Sequence, residues 1–309
     1  MGSNRFIFLA SQPRAGSTMT QLVLSNNSQV KTSSEMWVQF LLAGLESEFK
    51  SARKNFNLDM AELALFDYYK ALPKKTKYTV FSELSKTIYG LKEGEEMFFL
   101  DKTPRYYLIL EELVEAYPEA KILLLKRDPE DIFKSIITTW HKNNSLRVVA
   151  KNQYADLFIA PYRILEFEKK HAQNPHVMSV KYEDLIHNPE KGFRSLYDFL
   201  GLDFTLEDLD FSHNKKLTGT LGDPTGVKLS KKPSPSLQKQ ALSSTQKKYV
   251  EWYVNYLGAD FLKSYGYEKA TTSKKIPKKF FKFRDYGQAE MVCEKNIFDK
   301  FFRLLRYYI

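Results

Sequence analysis

Phe6-Ile7-Phe8-Leu9-Ala10-Ser11-Gln12-Pro13-Arg14-Ala15-Gly16-Ser17-Thr18 is the stretch that decides how this chain folds. A short, unbroken apolar run is what a strand covered on both faces looks like. The polar stretch behind it leads into Met19 to Leu24, which has helical spacing. Strand, tight loop and helix in that order gather backbone N–H groups and a helix N-terminus, an arrangement suited to an anion. Gly16, beside Ala15, lets the backbone approach closely, Ser17 and Thr18 add hydroxyl donors, and Arg14 offers a fork of donors to a phosphate or sulfonate. The Gly-x-x-x-x-Gly-Lys-Ser/Thr spacing of the Walker loop is absent. Read alone, the segment also fits an ordinary polar turn between a strand and a helix.

Working outward, Met97 to Leu100, Ile122 to Leu125 and Val177 to Val180 read as further short buried strands. Between them, Met60 to Leu72, Tyr106 to Ala116, Pro129 to Trp140 and Glu190 to Leu200 carry helical patterns. Pro129 suits a first helical turn, with Glu130 and Asp131 following it. This alternation predicts an α/β fold, a central parallel sheet flanked by helices. Ligands then sit at the carboxyl ends of the strands. Residues 1–270 form the expected main domain. From Lys215 to Ser236, glycines and prolines mark a long irregular loop, and residues 271–309 read as a basic, aromatic and helical extension.

The totals are those of a globular protein, with 43% hydrophobic and 27% charged residues. The apolar runs are too short to span a bilayer, and no signal-peptide pattern opens the chain. One cysteine, Cys293, excludes an internal disulfide framework and a cysteine-based metal site, and the five histidines have no ligand spacing. No metal is expected, and a cytoplasmic location fits best. The net charge of +10 implies an anionic partner, which a nucleotide satisfies without nucleic acid.

Two more strand ends carry chemistry. After Leu125 comes Lys126-Arg127-Asp128-Pro129, with Ser135 two turns into the following helix. Arg127 can clamp a phosphate dianion and Ser135 can donate to it; an Arg-Asp surface pair is the plainer alternative. After Leu100 comes Asp101-Lys102-Thr103-Pro104-Arg105-Tyr106.

Together these segments resemble the sulfotransferases that use 3′-phosphoadenosine 5′-phosphosulfate (PAPS), and the resemblance runs from about Phe6 to Lys231. It implies the P-loop-like sulfotransferase fold, with the 5′-phosphosulfate on Arg14 to Thr18 and the 3′-phosphate on Arg127 and Ser135. Lys102 then meets charge developing on the bridging oxygen. Pro104 stands where the cytosolic small-molecule members carry a histidine base. The spacing from Arg14 to Glu35 is similar to that of tyrosylprotein sulfotransferases and makes Glu35 the candidate base. His141 is the reserve, and a helix-start cap behind Thr32 or Ser33 is the structural alternative for Glu35. Tyr182, in Tyr182-Glu183-Asp184-Leu185, resembles the family's nucleotide-contacting tyrosine, or is strand-end core. Ser230 and Lys231 resemble the segment that closes over PAPS, or belong to a mobile loop without a role.

The implied function is sulfuryl transfer from PAPS to a hydroxyl, most simply of a carbohydrate, releasing PAP. Protein tyrosine or a small molecule is the alternative acceptor, and a non-catalytic nucleotide-binding protein the alternative class. The C-terminal segment is expected to pack on its own domain, with a membrane surface, on the cytoplasmic side, as its other reading.

Overall fold

The computed structural model describes residues 5–35, 37–40, 71–91, 97–142, 144–212, 232–233, 242–269 and 271. Five parallel strands form one sheet in the order β2-β3-β1-β4-β5. They are β1 (Phe6–Ser11), β2 (Val30–Thr32), β3 (Phe98–Lys102), β4 (Lys121–Lys126) and β5 (Val177–Lys181). β1 lies at the centre, with Phe8 beside Asp101 of β3 and Ile122 of β4. Its six residues are all buried, which is why it reads as a continuous apolar run rather than an alternating one.

Alternate residues of β1 feed two cores. Ile7 and Leu9 face one layer with α1 (Ser17–Leu24), α4 (Pro129–Thr139), α7 (Tyr182–His187), α8 (Pro189–Leu200) and α9 (Ser244–Leu257). Phe6, Phe8 and Ala10 face the other, built from α2 (Lys74–Ile88), α3 (Leu110–Ala116), α6 (Ala160–Lys170) and α10 (Ala259–Tyr265). α5 (Leu146–Asn152) joins the first layer through Val149 and Ala150. Each fully buried Phe or Leu contributes about 1.5–3 kcal/mol of transfer free energy to these layers.

Several expectations are met element by element and some are not. The four expected strands form within a residue or two of their expected ends. Ser33 to Trp37, expected as the end of a short strand leading into a helix, instead follow β2, which ends at Thr32. The expected helix from Tyr106 to Ala116 is two pieces, a 3-10 turn at Pro104–Leu108 and α3. Pro104 suits only the first turn of a helix, and Ile109, with φ −136°, sits between the two pieces. α2, α5, α6, α7, α9 and α10 were not anticipated. A π-helical turn at Ala155–Ile159 joins α5 to α6. Most of the expected helix from Met60 to Leu72, the Ser230-Lys231 segment and nearly all of the C-terminal extension lie outside the described residues. No helix among the described residues is long and apolar enough to cross a membrane.

The chain leaves β1 towards β2 on one side and later crosses to β4 on the other. The loops after β1, β3 and β4 therefore open side by side at the carboxyl ends of the three central strands.

Candidate active site

The β1 loop has an unusual backbone. Arg14 has φ 72° and Gly16 φ 98°, so the chain turns through the left-handed region twice before α1 begins. Only glycine fits the second position on space as well as on φ. A Cβ on Gly16 would lie 2.4 Å from Cδ2 of Tyr182. The Ala15 amide donates to the Gln12 carbonyl at 3.2 Å. Ser17 is buried and Thr18 half-buried at the first turn of α1.

The β4 loop is built against the same place. Arg127 donates from Nη1 to the carbonyl of Arg14 at 3.0 Å, and its guanidinium lies 4.6 Å from the centre of the Tyr182 ring. Its Nε is buried with no hydrogen-bond partner, a donor left over for something the site does not itself contain. Asp128 does not form the surface pair with Arg127. It caps α4, accepting from the Glu130 amide at 2.9 Å. Arg14 donates from Nε to Ser135 Oγ at 3.1 Å, with Trp140 beneath its guanidinium at 5.6 Å. The sequence reading put Arg14 and Ser135 on different phosphates, but the fold makes Arg14, Ser135, Arg127 and Tyr182 one connected cluster.

The third part sits at the end of β3. Lys102 Nζ donates to Glu35 Oε1 at 2.8 Å; the lysine side chain is 1% exposed and the glutamate 15%. Glu35 is thus an ion-pair partner at the edge of the site, not a helix cap. Its segment is fixed from behind. Gln21 of α1 donates to Thr32 Oγ1 at 2.7 Å and to the Ser33 carbonyl, while Thr32 donates to the Leu100 carbonyl at 2.6 Å. His141, the reserve base, has Nδ1 2.7 Å from Asn144 Nδ2 and Nε2 3.0 Å from Gln153 Nε2. With both ring nitrogens against amides it has no free position from which to take a proton.

The residue before Lys102 is fixed by its own network. Asp101 is buried and accepts from Tyr89, from Tyr106 at 2.8 Å and from Thr103 at 3.1 Å. Burial pushes its carboxyl up from the usual range, and the three hydroxyl donors oppose that rise. Tyr106 Oη in turn accepts from the Gln39 amide at 3.1 Å, and Gln39 Nε2 donates to Tyr89 at 2.9 Å.

Two further residues were missed by the sequence reading. Arg105 makes a two-pronged bond to Asp156, Nε at 3.0 Å and Nη2 at 2.7 Å, and lies 5.6 Å from the centre of the Trp37 ring. Burial disfavours the charge on Arg105, yet the Asp156 hydrogen bonds and charge win and hold it above its ordinary value, with Glu35 adding to that field. Trp37 has φ 58°, a costly conformation for a bulky residue. The turn after β3 therefore grips the segment after β2 at three points: Lys102 on Glu35, Arg105 on Trp37 and Tyr106 on Gln39. The signal was present, since Asp156 is an acid within the apolar run Ala155-Asp156-Leu157-Phe158-Ile159, and buried carboxylates need partners.

A sequence profile described as Sulfotransferase family matches residues 7–206. The chain belongs to the sulfotransferase family. Among curated relatives it is 23% identical to the nodulation protein NoeE of Sinorhizobium fredii over 85% of this chain and 66% of that one. It is 24% identical to protein-tyrosine sulfotransferase A of Caenorhabditis elegans, over 71% and 55%. With protein-tyrosine sulfotransferase 1 of Danio rerio it shares 26% identity, over 73% and 59%. The chain thus spans between 55% and 66% of the length of these curated relatives. The sulfotransferase domain from the Synechococcus PCC 7002 olefin synthase superposes with a TM-score of 0.52 at 20% identity, over 80% of this chain and 93% of that one. The domain from the curacin biosynthetic pathway gives 0.50 at 21%, over 79% and 95%. These likenesses establish the P-loop-like sulfotransferase fold.

Proposed function

We propose that this protein transfers a sulfuryl group from PAPS to a hydroxyl, releasing PAP, and that the acceptor is a carbohydrate. The observation that carries the donor reading is the cluster at the β1 and β4 loops. Arg14, Arg127, Ser135 and Tyr182 meet there around a glycine that admits no Cβ, and Arg127 keeps a buried donor without a partner. A phosphate-bearing adenine nucleotide fits that set: guanidinium forks for phosphate oxygens, an aromatic ring for a base, and hydroxyls at a helix start.

In the reaction the acceptor oxygen attacks sulfur, the bond from sulfur to the bridging oxygen of the 5′-phosphate breaks, and PAP leaves with the electron pair. The hydroxyl proton goes to Glu35. Arg14 and Lys102 stabilise the charge on the sulfuryl and leaving oxygens, so that most of the acceleration comes from positioning and fixed positive charge. Ser230 and Lys231 are proposed to add to this from the long loop. The Lys102–Glu35 pair gives the order of events. While no donor is bound the two hold each other; when the ammonium turns to the bridging oxygen, the carboxylate is left to accept the proton. The carbohydrate reading is supported by Trp140, 43% exposed beside Arg14, whose flat apolar face matches a sugar ring in size. Protein tyrosine is the second reading, favoured by the relatives that act on it and by the spacing of Arg14 and Glu35.

Sulfur-labelled PAPS offered with alkyl glycosides, a tyrosine peptide and para-nitrophenol tests both levels. Label on the glycosides supports the reading given. Label on the peptide alone moves the acceptor to tyrosine, and a protein that neither binds PAP nor releases it from PAPS removes the donor assignment.

A further inference from the structure

The segment after α10 laces two corners of the site together. Lys181 at the end of β5 donates to the Gly266 carbonyl at 2.7 Å, and the next residue, Tyr267, donates to Glu183 Oε2 at 2.7 Å. The other oxygen of Glu183 accepts the Asp128 amide at 3.0 Å. Lys269 completes the strap, reaching Asp128 Oδ2 at 2.6 Å and the Glu130 carboxylate. Asp128 and Glu183 are the chain neighbours of Arg127 and Tyr182, and Glu130 and Asp131 open the helix that follows. Four carboxylates therefore crowd the loop whose arginine is to hold a phosphate dianion.

Such crowding works against the ligand, since each carboxylate repels a phosphate a few ångströms away and the site is too sheltered for water to screen it fully. Lys269 is the cation that answers two of the four, and Lys134 pairs with Glu130 and Asp131 from within α4. Burial pushes the Asp128 carboxyl up while the Lys269 ammonium opposes the rise. Burial likewise raises Glu130, but Lys134 and Lys269 overcome it and hold the group below its ordinary value.

We infer that Lys269 is a positioning residue for the donor site: it neutralises Asp128 and Glu130 and so lets Arg127 hold the 3′-phosphate of PAP. The inference rests on the donor reading given above and goes beyond it by assigning a role to a residue outside the β1, β3 and β4 loops. Calorimetric titration of PAP into the full chain tests it. Lys269→Met weakens PAP binding by about tenfold at low salt, the order of one uncompensated charge near a phosphate. The deficit shrinks to about twofold at ~0.5 M salt, where charge interactions are screened within a few ångströms. Lys269→Arg binds as wild type. Glu130→Gln in the Lys269→Met background recovers most of the loss, and Glu130→Gln alone tightens PAP severalfold, which keeps the inference testable if Lys269→Met does not fold. A deficit unmoved by salt and unrelieved by Glu130→Gln would mean that the strap only holds the fold, and the inference falls. It falls equally if Lys269→Met binds PAP as wild type does. Wild-type protein that ignores PAP overturns the donor reading itself, a result distinct from either.

Discussion

Gly16→Ala carries the sharpest test of how the donor loop is built. Gly16 sits at φ 98°, and an L side chain in the left-handed region costs about 1–2 kcal/mol. The added Cβ also meets Tyr182, at 2.4 Å from Cδ2 and 2.5 Å from Cε2, so the ring must retreat by about 1 Å to reach ordinary contact. The ring is 8% exposed and has the Arg127 guanidinium 4.6 Å from its centre, so it has little room to move. Overpacking of this kind costs about 1–3 kcal/mol. The two terms together give a loss of about 2–5 kcal/mol. Two controls separate them. Gly201 has a similar backbone, φ 72°, with nothing within 4 Å of an added Cβ, so Gly201→Ala pays the conformational term alone. In a Tyr182→Ala background, Gly16→Ala likewise loses only that term, and the double-mutant cycle yields a coupling of about 1–3 kcal/mol. Urea unfolding measures the stabilities, and PAP titration measures the site, where Gly16→Ala is expected to weaken binding because ring and arginine move together. If Gly16→Ala costs the same with and without the Tyr182 ring, the close approach of loop and ring is not what selects glycine here.

Three other outcomes follow from the same geometry. Glu35→Gln lowers the transfer rate by about 10²–10⁴-fold, the usual worth of a general base, while PAP binding by calorimetry stays within about twofold; near-normal turnover would return the search for the base to its start. Asp156→Ala leaves Arg105 without its two-pronged partner and Tyr107 without its acceptor. The loss, read by urea unfolding, is about 2–3 kcal/mol, discounted from a fully buried pair because Arg105 is 34% exposed. Acid stability carries a signature of Glu130. Its folded value is depressed, so its contribution is present above the unfolded value near 4.5 and is lost as pH falls through the lower folded value. In Lys269→Met the depression shrinks, and the acid-unfolding midpoint measured by circular dichroism moves to higher pH.

The centre of the sheet was legible because β1, β3 and β4 are buried almost throughout, which writes them as unbroken apolar runs such as Ile122 to Leu125. β2 is a three-residue strand at the sheet edge, too short to show a period. α9 and α10 were missed because tyrosines serve as core there alongside the aliphatic residues. Tyr253 and Tyr265 are fully buried, and a reading that expects leucine passes over them. At the site, loop residues could be named one by one since each follows a strand. What spacing cannot supply is contact between distant segments. Arg14 on Ser135, Arg105 on Asp156 and Lys269 on Asp128 join residues far apart in the chain, and those pairings depend on the order in which the strands lie side by side.

The division of labour across the sheet has a mechanistic consequence. The donor cluster hangs on the loops after β1 and β4, where Arg127 holds the Arg14 carbonyl and Tyr182 fills the space above Gly16. Glu35 hangs on a different support, the turn after β3, through Lys102, Arg105 and Tyr106. In the proposed mechanism Lys102 belongs to both tasks, since it pairs with Glu35 and is proposed to serve the leaving oxygen. Substitutions behind Trp37 or Gln39 should therefore lower turnover with PAP affinity intact, and substitutions around Arg127 should do the reverse. Lys102→Met should damage both, and more than either group separately, because it removes the element by which, in the proposed mechanism, donor binding releases Glu35. If Lys102→Met merely weakens PAP and leaves turnover at saturating donor unchanged, the two halves of the site work independently and the ion pair has no part in timing the proton transfer.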